Sequence, residues 1–142
     1  MKNVTVSLAE KLGRAHAALL NDLQKLEEMA NDPGVVPHDV QAELAAVQKH
    51  IAEHFRFEEQ NGYMNAVRKR EPQRERTVEK LREEHRELSR SLNELVGDAD
   101  PAKGTVFLQA RIRSWIEQVR GHEGRENRLV QEVFNRDTWA ED

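Results

Sequence analysis

Four histidines and two glutamates stand out by their spacing: His16, His54, His85 and His122, with Glu58 and Glu126 each four residues after a histidine. A spacing of four places both side chains of a His-xxx-Glu pair on one face of a helix, one turn apart. Two such pairs and two single histidines can make a site for two metal ions, with the glutamates bridging and two histidines to each metal. Imidazole and carboxylate together suit iron, manganese or zinc. The chain has no cysteine, which excludes thiolate ligands, disulfides and cysteine nucleophiles. Four histidines, two carboxylates and no thiolate favour a bridged di-iron centre.

Such residues can meet only if their helices carry them inward. Each lies in an apolar series stepping by three or four residues, the inward stripe of a bundle helix. The first series is Leu12, His16, Leu19, Leu23, Leu26 and Ala30; the second is Val40, Leu44, Val47, Ile51, His54 and Glu58. The third is Val78, Leu81, His85, Leu88, Leu92 and Leu95. The fourth runs Leu108, Ile112, Trp115, Val119, His122, Glu126, Leu129 and Val133. A lone histidine on an apolar face is ordinarily a hydrogen-bonded core residue, but here each of four stripes holds one. A buried, ionised carboxylate without a partner is costly, and a metal cation satisfies both glutamates and relieves their mutual repulsion.

Breaks between the stripes set the elements. Asn31-Asp32-Pro33-Gly34 followed by Pro37 is a stop and restart, Glu71-Pro72 a weaker break, and Gly97 to Pro101 a strong one. Ser7 with Glu10 fits a capping box starting the first helix, and Pro37 fits the first turn of the second. Helices are expected near 7–30, 38–68, 74–96 and 103–135, with Gly62 marking a fraying end. Short connections imply an all-α, up-down-up-down antiparallel four-helix bundle, one domain over residues 1–142. In that order His16 early in the first helix, His54 late in the second, His85 midway along the third and His122 late in the fourth share one layer. The tail after Asp137 is expected to pack poorly, with Trp139 able to dock.

Composition narrows the partners. With 142 residues, charged residues at 34%, net charge −4 and both signs interspersed, the chain reads as solvated helix faces around one core. A pI near 5.9 argues against a nucleic-acid partner, and the basic cluster Arg68-Lys69-Arg70 with Arg74 and Arg76 reads as a solvated helix end. No stretch has the length of a membrane span or the apolar centre of a signal peptide, so a cytoplasmic location is the expectation.

These pieces resemble the hemerythrin-like (HHE cation-binding) family. The resemblance is carried by His16 in RAHAALL, His54 to Glu59 in HFRFEE, His85 in REEHREL and His122 to Glu126 in HEGRE, in the family's order across nearly the whole chain. It implies two iron ions in an oxo- or hydroxo-bridged site, with Mn or Zn as possible substitutes. His16 and His54 would bind one iron, His85 and His122 the other, with Glu58 and Glu126 bridging. Oxygen-carrying members have a His-xxx-His pair on the third helix, whereas one turn either side of His85 here stand Leu81 and Ser89. Their last motif ends in an aspartate at longer spacing. The second iron is therefore short of one protein ligand, which favours reaction with O2 or hydrogen peroxide over reversible oxygen carriage. The expected function is oxygen- or peroxide-linked redox chemistry, possible enzymatic forms being a di-iron peroxidase or catalase-like activity. The alternatives are an O2, iron or redox sensor, an iron-handling protein without turnover, and a metal-free structural bundle.

Residues flanking these motifs have two readings each. His50, one turn before His54 but off the stripe, reads first as a surface residue and second as support behind the ligands. Glu59 and Glu123 read first as solvated, and second as acceptors orienting an imidazole. Tyr63, the single tyrosine, reads first as packing and second as a hydrogen-bond donor to an oxygen species at the site. Trp115, Phe55, Phe57, Phe107 and Phe134 are expected in the core or a pocket wall, and His38 is expected to be exposed.

Overall fold

A computed structural model describes residues 2–60 and 62–135. Among these the chain is all-helical: α1 (Lys2–Ala30), α2 (Pro37–Gln60), α3 (Tyr63–Arg70), α4 (Glu75–Asp98) and α5 (Val106–Val130). Single 3-10 turns occupy Pro72–Arg74 and Pro101–Lys103, and a π turn, Gln131–Asn135, continues α5. No described helix is long and apolar enough to cross a membrane. The expected tail after Asp137, Trp139 included, lies outside the described residues.

The helices form because their apolar residues repeat at helical spacing and each stripe can be buried only against the others. Every stripe residue named above is buried except His54, which is nearly so. The four long helices pack in a closed ring, α1 against α2 and α5, and α4 against α2 and α5. Side-chain bonds record how they pass one another. Along α1 and α5, Gln109 reaches Met29, Arg113 reaches Ala30, Arg120 reaches Glu27 and Asn127 reaches His16. Along α2 and α4, Gln41 bonds Ala99, Gln48 bonds Asn93, and Glu59 bonds His85.

Three boundaries differ from expectation. The first helix begins at Lys2, not at the Ser7 capping box; residues 2–6 contain no glycine or proline to stop it. The second predicted helix, 38–68, is two helices. A Cβ on Gly62 would lie 2.8 Å from Glu58 Cα and 3.0 Å from the Phe57 carbonyl oxygen, so the chain leaves α2 pressed against that helix's last turn, where a side chain would clash. The last helix begins at Val106, because Gly104 has φ +82°, a left-handed conformation that ends the preceding turn.

The core has two apolar halves. One runs from Leu19 to Ala30 of α1 and includes Val40 to Phe55, Leu88 to Ala99 and Leu108 to Val119. The other joins Leu12 to Tyr63, Met64 and Val67 of α3, Val78, Leu81, and Leu129 to Phe134. A polar layer of histidine and glutamate belongs to neither. Phe55, Trp115 and Phe134 are buried as expected, and Phe57 is half-buried. Phe107 is not: at 77% exposure it lies beside Arg111 on the surface, because it falls off the inward stripe that its neighbour Leu108 begins.

Candidate metal centre

The polar layer is built from one turn of each long helix. His16 comes from α1, His54 and Glu58 from α2, His85 from α4, and His122 and Glu126 from α5. Five of the six are at most 4% exposed, and the His54 side chain is 8% exposed. Their ligand atoms form two overlapping groups: His16, His54, Glu58 and Glu126; and Glu58, His85, His122 and Glu126. Within each group all ligand atoms lie within 4.8 Å of one another.

All four Nε2 atoms face the two carboxylates. Glu58 Oε2 is 3.1 Å from His16 Nε2 and 3.3 Å from His54 Nε2, while its Oε1 is 3.0 Å from His85 Nε2. Glu126 Oε1 is 3.2 Å from His16 Nε2, and its Oε2 is 3.1 Å from His85 and 3.2 Å from His122. Each carboxylate thus turns one oxygen to the His16 side and the other to the His85 side.

The opposite ring nitrogens are held from behind. His85 Nδ1 donates to Glu59 at 2.7 Å, His122 Nδ1 to Glu84 at 2.7 Å, and His16 Nδ1 to Asn127 Oδ1 at 3.0 Å. An acceptor on Nδ1 fixes the proton there and leaves the Nε2 lone pair for the centre. Arg82 and Arg125 in turn hold Glu59 and Glu84. Phe55 stacks on His85, ring centres 3.9 Å apart, and presents an edge to His122. Tyr63 is buried and donates to Glu126 Oε2 at 2.5 Å.

The polar atoms of this layer are incompletely satisfied by the protein. His54 Nε2, His122 Nε2 and Glu58 Oε1 are buried without a hydrogen bond, despite lying near opposite charges. Orphaned buried groups of this kind cost about 1–3 kcal/mol each. A cation among them satisfies all three, so the donor set fits a metal.

The electrostatics agree. Burial lowers the pKa of His16 and His85, but hydrogen bonds to Glu126 and Glu58 outweigh it and raise both to about 10. Burial opposes ionisation of Glu58 and Glu126, yet the surrounding histidines hold both carboxylates below the usual range. Without metal, protons on His16 and His85 balance the two carboxylates; a cation replaces them.

The flanking residues divide. Glu59 is not a solvated face but the acceptor behind His85. Glu123 is not solvated either: it is buried, both oxygens lack a partner, and burial pushes its carboxyl up to about 7. It orients no imidazole. Tyr63 does more than pack. His50 is exposed and pairs with Asp22, as a surface residue would, and His38 is exposed. Glu84 and Asn127 went unnoticed in the sequence, although each directly adjoins a motif residue (His85 and Glu126). Their partners lie on other helices, which no local spacing reveals.

No curated protein and no solved structure matches the chain significantly. The family comparison is positive: the sequence model of the hemerythrin HHE cation-binding domain matches residues 7–134, so the chain belongs to that family.

Proposed function

We propose that this protein binds two irons at the polar layer of an up-down-up-down antiparallel bundle, a single domain, and uses them in oxygen- or peroxide-linked redox chemistry. The observation carrying this reading is the division of each carboxylate between two histidine pairs. Glu58 and Glu126 belong to both four-residue groups, as two shared ligands must. His16 and His54 would hold one iron, and His85 and His122 the other. The antiparallel reading is supported by bonds linking the early turns of α5 to the end of α1, and the start of α2 to the end of α4.

When bound, a pair of irons supplies one-electron steps and a Lewis-acidic face toward O2 or hydrogen peroxide. The chain's own residues prepare that chemistry. Glu59, Glu84 and Asn127 fix the imidazole tautomers and strengthen the rings as donors. Tyr63 holds Glu126 in place and keeps its own proton: burial and the neighbouring carboxylates raise its pKa. Phe55 excludes water on the His85 side. A cleft of about 540 Å³ between α1 and α2 ends on His54, the most accessible of the four histidines, and offers small oxidants an approach. Manganese or zinc would suit the same donors.

Elemental analysis of the purified chain, with visible spectra before and after peroxide, tests the reading. About two irons per chain and a spectrum that responds to peroxide are expected from a donor set of this kind. A well-folded chain that takes up no metal would overturn it. A stable, reversible oxygenated spectrum would replace redox turnover with binding.

A further inference from the structure

A second concave site lies on the opposite side of the ring, between α4 and α5, away from the α1–α2 cleft. It has a volume of about 400 Å³, within the range of small-ligand pockets. Arg74, Arg76, Lys80, Arg125 and Arg128 line it, against two anionic side chains, Glu84 and Glu132. A local excess of three positive charges is unexpected on a chain of net charge −4.

Two of the five cations are engaged. Arg125 is held by Glu84 at 3.1 Å, and Arg74 by Glu71 and Glu132 at 3.1 and 2.8 Å. Arg76, Lys80 and Arg128 are exposed and have no ion-pair partner among the described residues. Three unpaired cations around one concavity repel one another, and a concave wall focuses their field outward. Thr77 lines the groove with a hydroxyl, and Leu81 and Leu129, each 3% exposed, close its inner wall. Guanidinium forks match phosphate oxygens in pairs, and an ammonium adds a point charge.

We propose that the α4–α5 groove is a binding site for a small phosphate-bearing molecule, its phosphate held by Arg76, Lys80 and Arg128. The groove adjoins the metal centre, since Glu84 both lines it and accepts from His122 Nδ1, but Arg76, Lys80 and Arg128 are not among the candidate metal ligands. A membrane or nucleic-acid surface would meet a flat or extended basic face; these cations instead converge on a pocket the size of one small molecule.

Titration calorimetry of the full-length chain with adenosine monophosphate and with inorganic phosphate tests this. The nucleotide should bind at one site per chain, and inorganic phosphate should compete with it for that site, because the three cations hold the phosphate group. The triple variant R76Q/K80Q/R128Q should weaken nucleotide binding about tenfold or more, and Lys80→Gln alone about threefold. These side chains are exposed and unpaired, so far-ultraviolet circular dichroism should be unchanged. The variant K49Q/R56Q/K103Q, with the same charge change outside the groove, should bind within about twofold of the parent. Absence of saturable binding, or equal weakening by both triple variants, would overturn the site. Failure of inorganic phosphate to compete with the nucleotide would overturn the assignment of the phosphate group to these cations.

Discussion

The Tyr63 hydroxyl donates to Glu126 Oε2 at 2.5 Å across the end of the bundle. This bond ties the short helix α3 to the polar layer and takes up one lone pair of a carboxylate that three histidines also face. Replacing Tyr63 with Phe removes the donor and keeps the ring. A hydrogen bond to a charged group contributes about 1.5–3 kcal/mol, so urea unfolding of the metal-free chain should show a loss of that order. Unchanged stability would mean that Glu126 finds another donor.

Gly62 is the reason Tyr63 arrives there. A Cβ at this position would press on Glu58 Cα and two backbone oxygens, which cannot swing aside as a side-chain end could. Gly62→Ala should therefore cost about 1–3 kcal/mol, the usual range for overpacking. It should also disturb the Tyr63–Glu126 bond. Combining it with Tyr63→Phe should cost less than the sum of the two separate losses. Full additivity in denaturant melts would argue against the link.

Glu58 belongs to both groups of candidate ligands. Glu58→Ala should abolish loading of both metals rather than one, whereas His38→Ala, at an exposed position, should leave metal content unchanged. Metal content per chain decides between them. Retention of one ion by the Glu58 variant would show that the two groups do not share this residue.

Glu84 and Glu59 stand behind His122 and His85 at 2.7 Å each. Changing either to Gln keeps an oxygen acceptor but removes the negative charge that strengthens the imidazole. Acceptors in this position typically contribute about 10–100-fold to metal affinity. Competition against a coloured chelator should show a loss in that range with unchanged stoichiometry.

The histidine pKa values set a pH dependence with a definite sign. His16 and His85 stand at about 10 in the folded chain against 6.5 ordinarily. Their contribution to the metal-free fold is complete below pH 6.5 and is lost as pH rises from there through about 10. Glu58 and Glu126 are lowered, so their contribution is present above their ordinary 4.5 and falls away below it. Metal-free stability should therefore peak between these limits and decline toward alkaline pH. Because ligation requires neutral imidazoles, loading at neutral pH should release protons, readable by calorimetry in buffers of different ionisation enthalpy. Loading without proton release would contradict the charge state inferred for the histidines.

The stripes, four helix cores and the shared layer of His16, His54, Glu58, His85, His122 and Glu126 were legible in the sequence. Their information is periodic and local: a residue every three or four positions among leucines and valines has one way to be buried when a helix forms. Helix ends were less legible, since Lys2–Val6 extends α1 without any sequence signal and Gly62 breaks α2 through a close backbone approach visible only in space. Tertiary structure alone decided what stands behind the ligands. Glu84, Asn127 and Glu59 reach histidines on other helices, and Tyr63 of α3 reaches Glu126 of α5. The side on which Phe107 and Glu123 fall also depends on how the helices rotate when they pack. Local spacing records which face of a helix is apolar; which polar neighbours meet across faces depends on crossing positions that no single helix encodes.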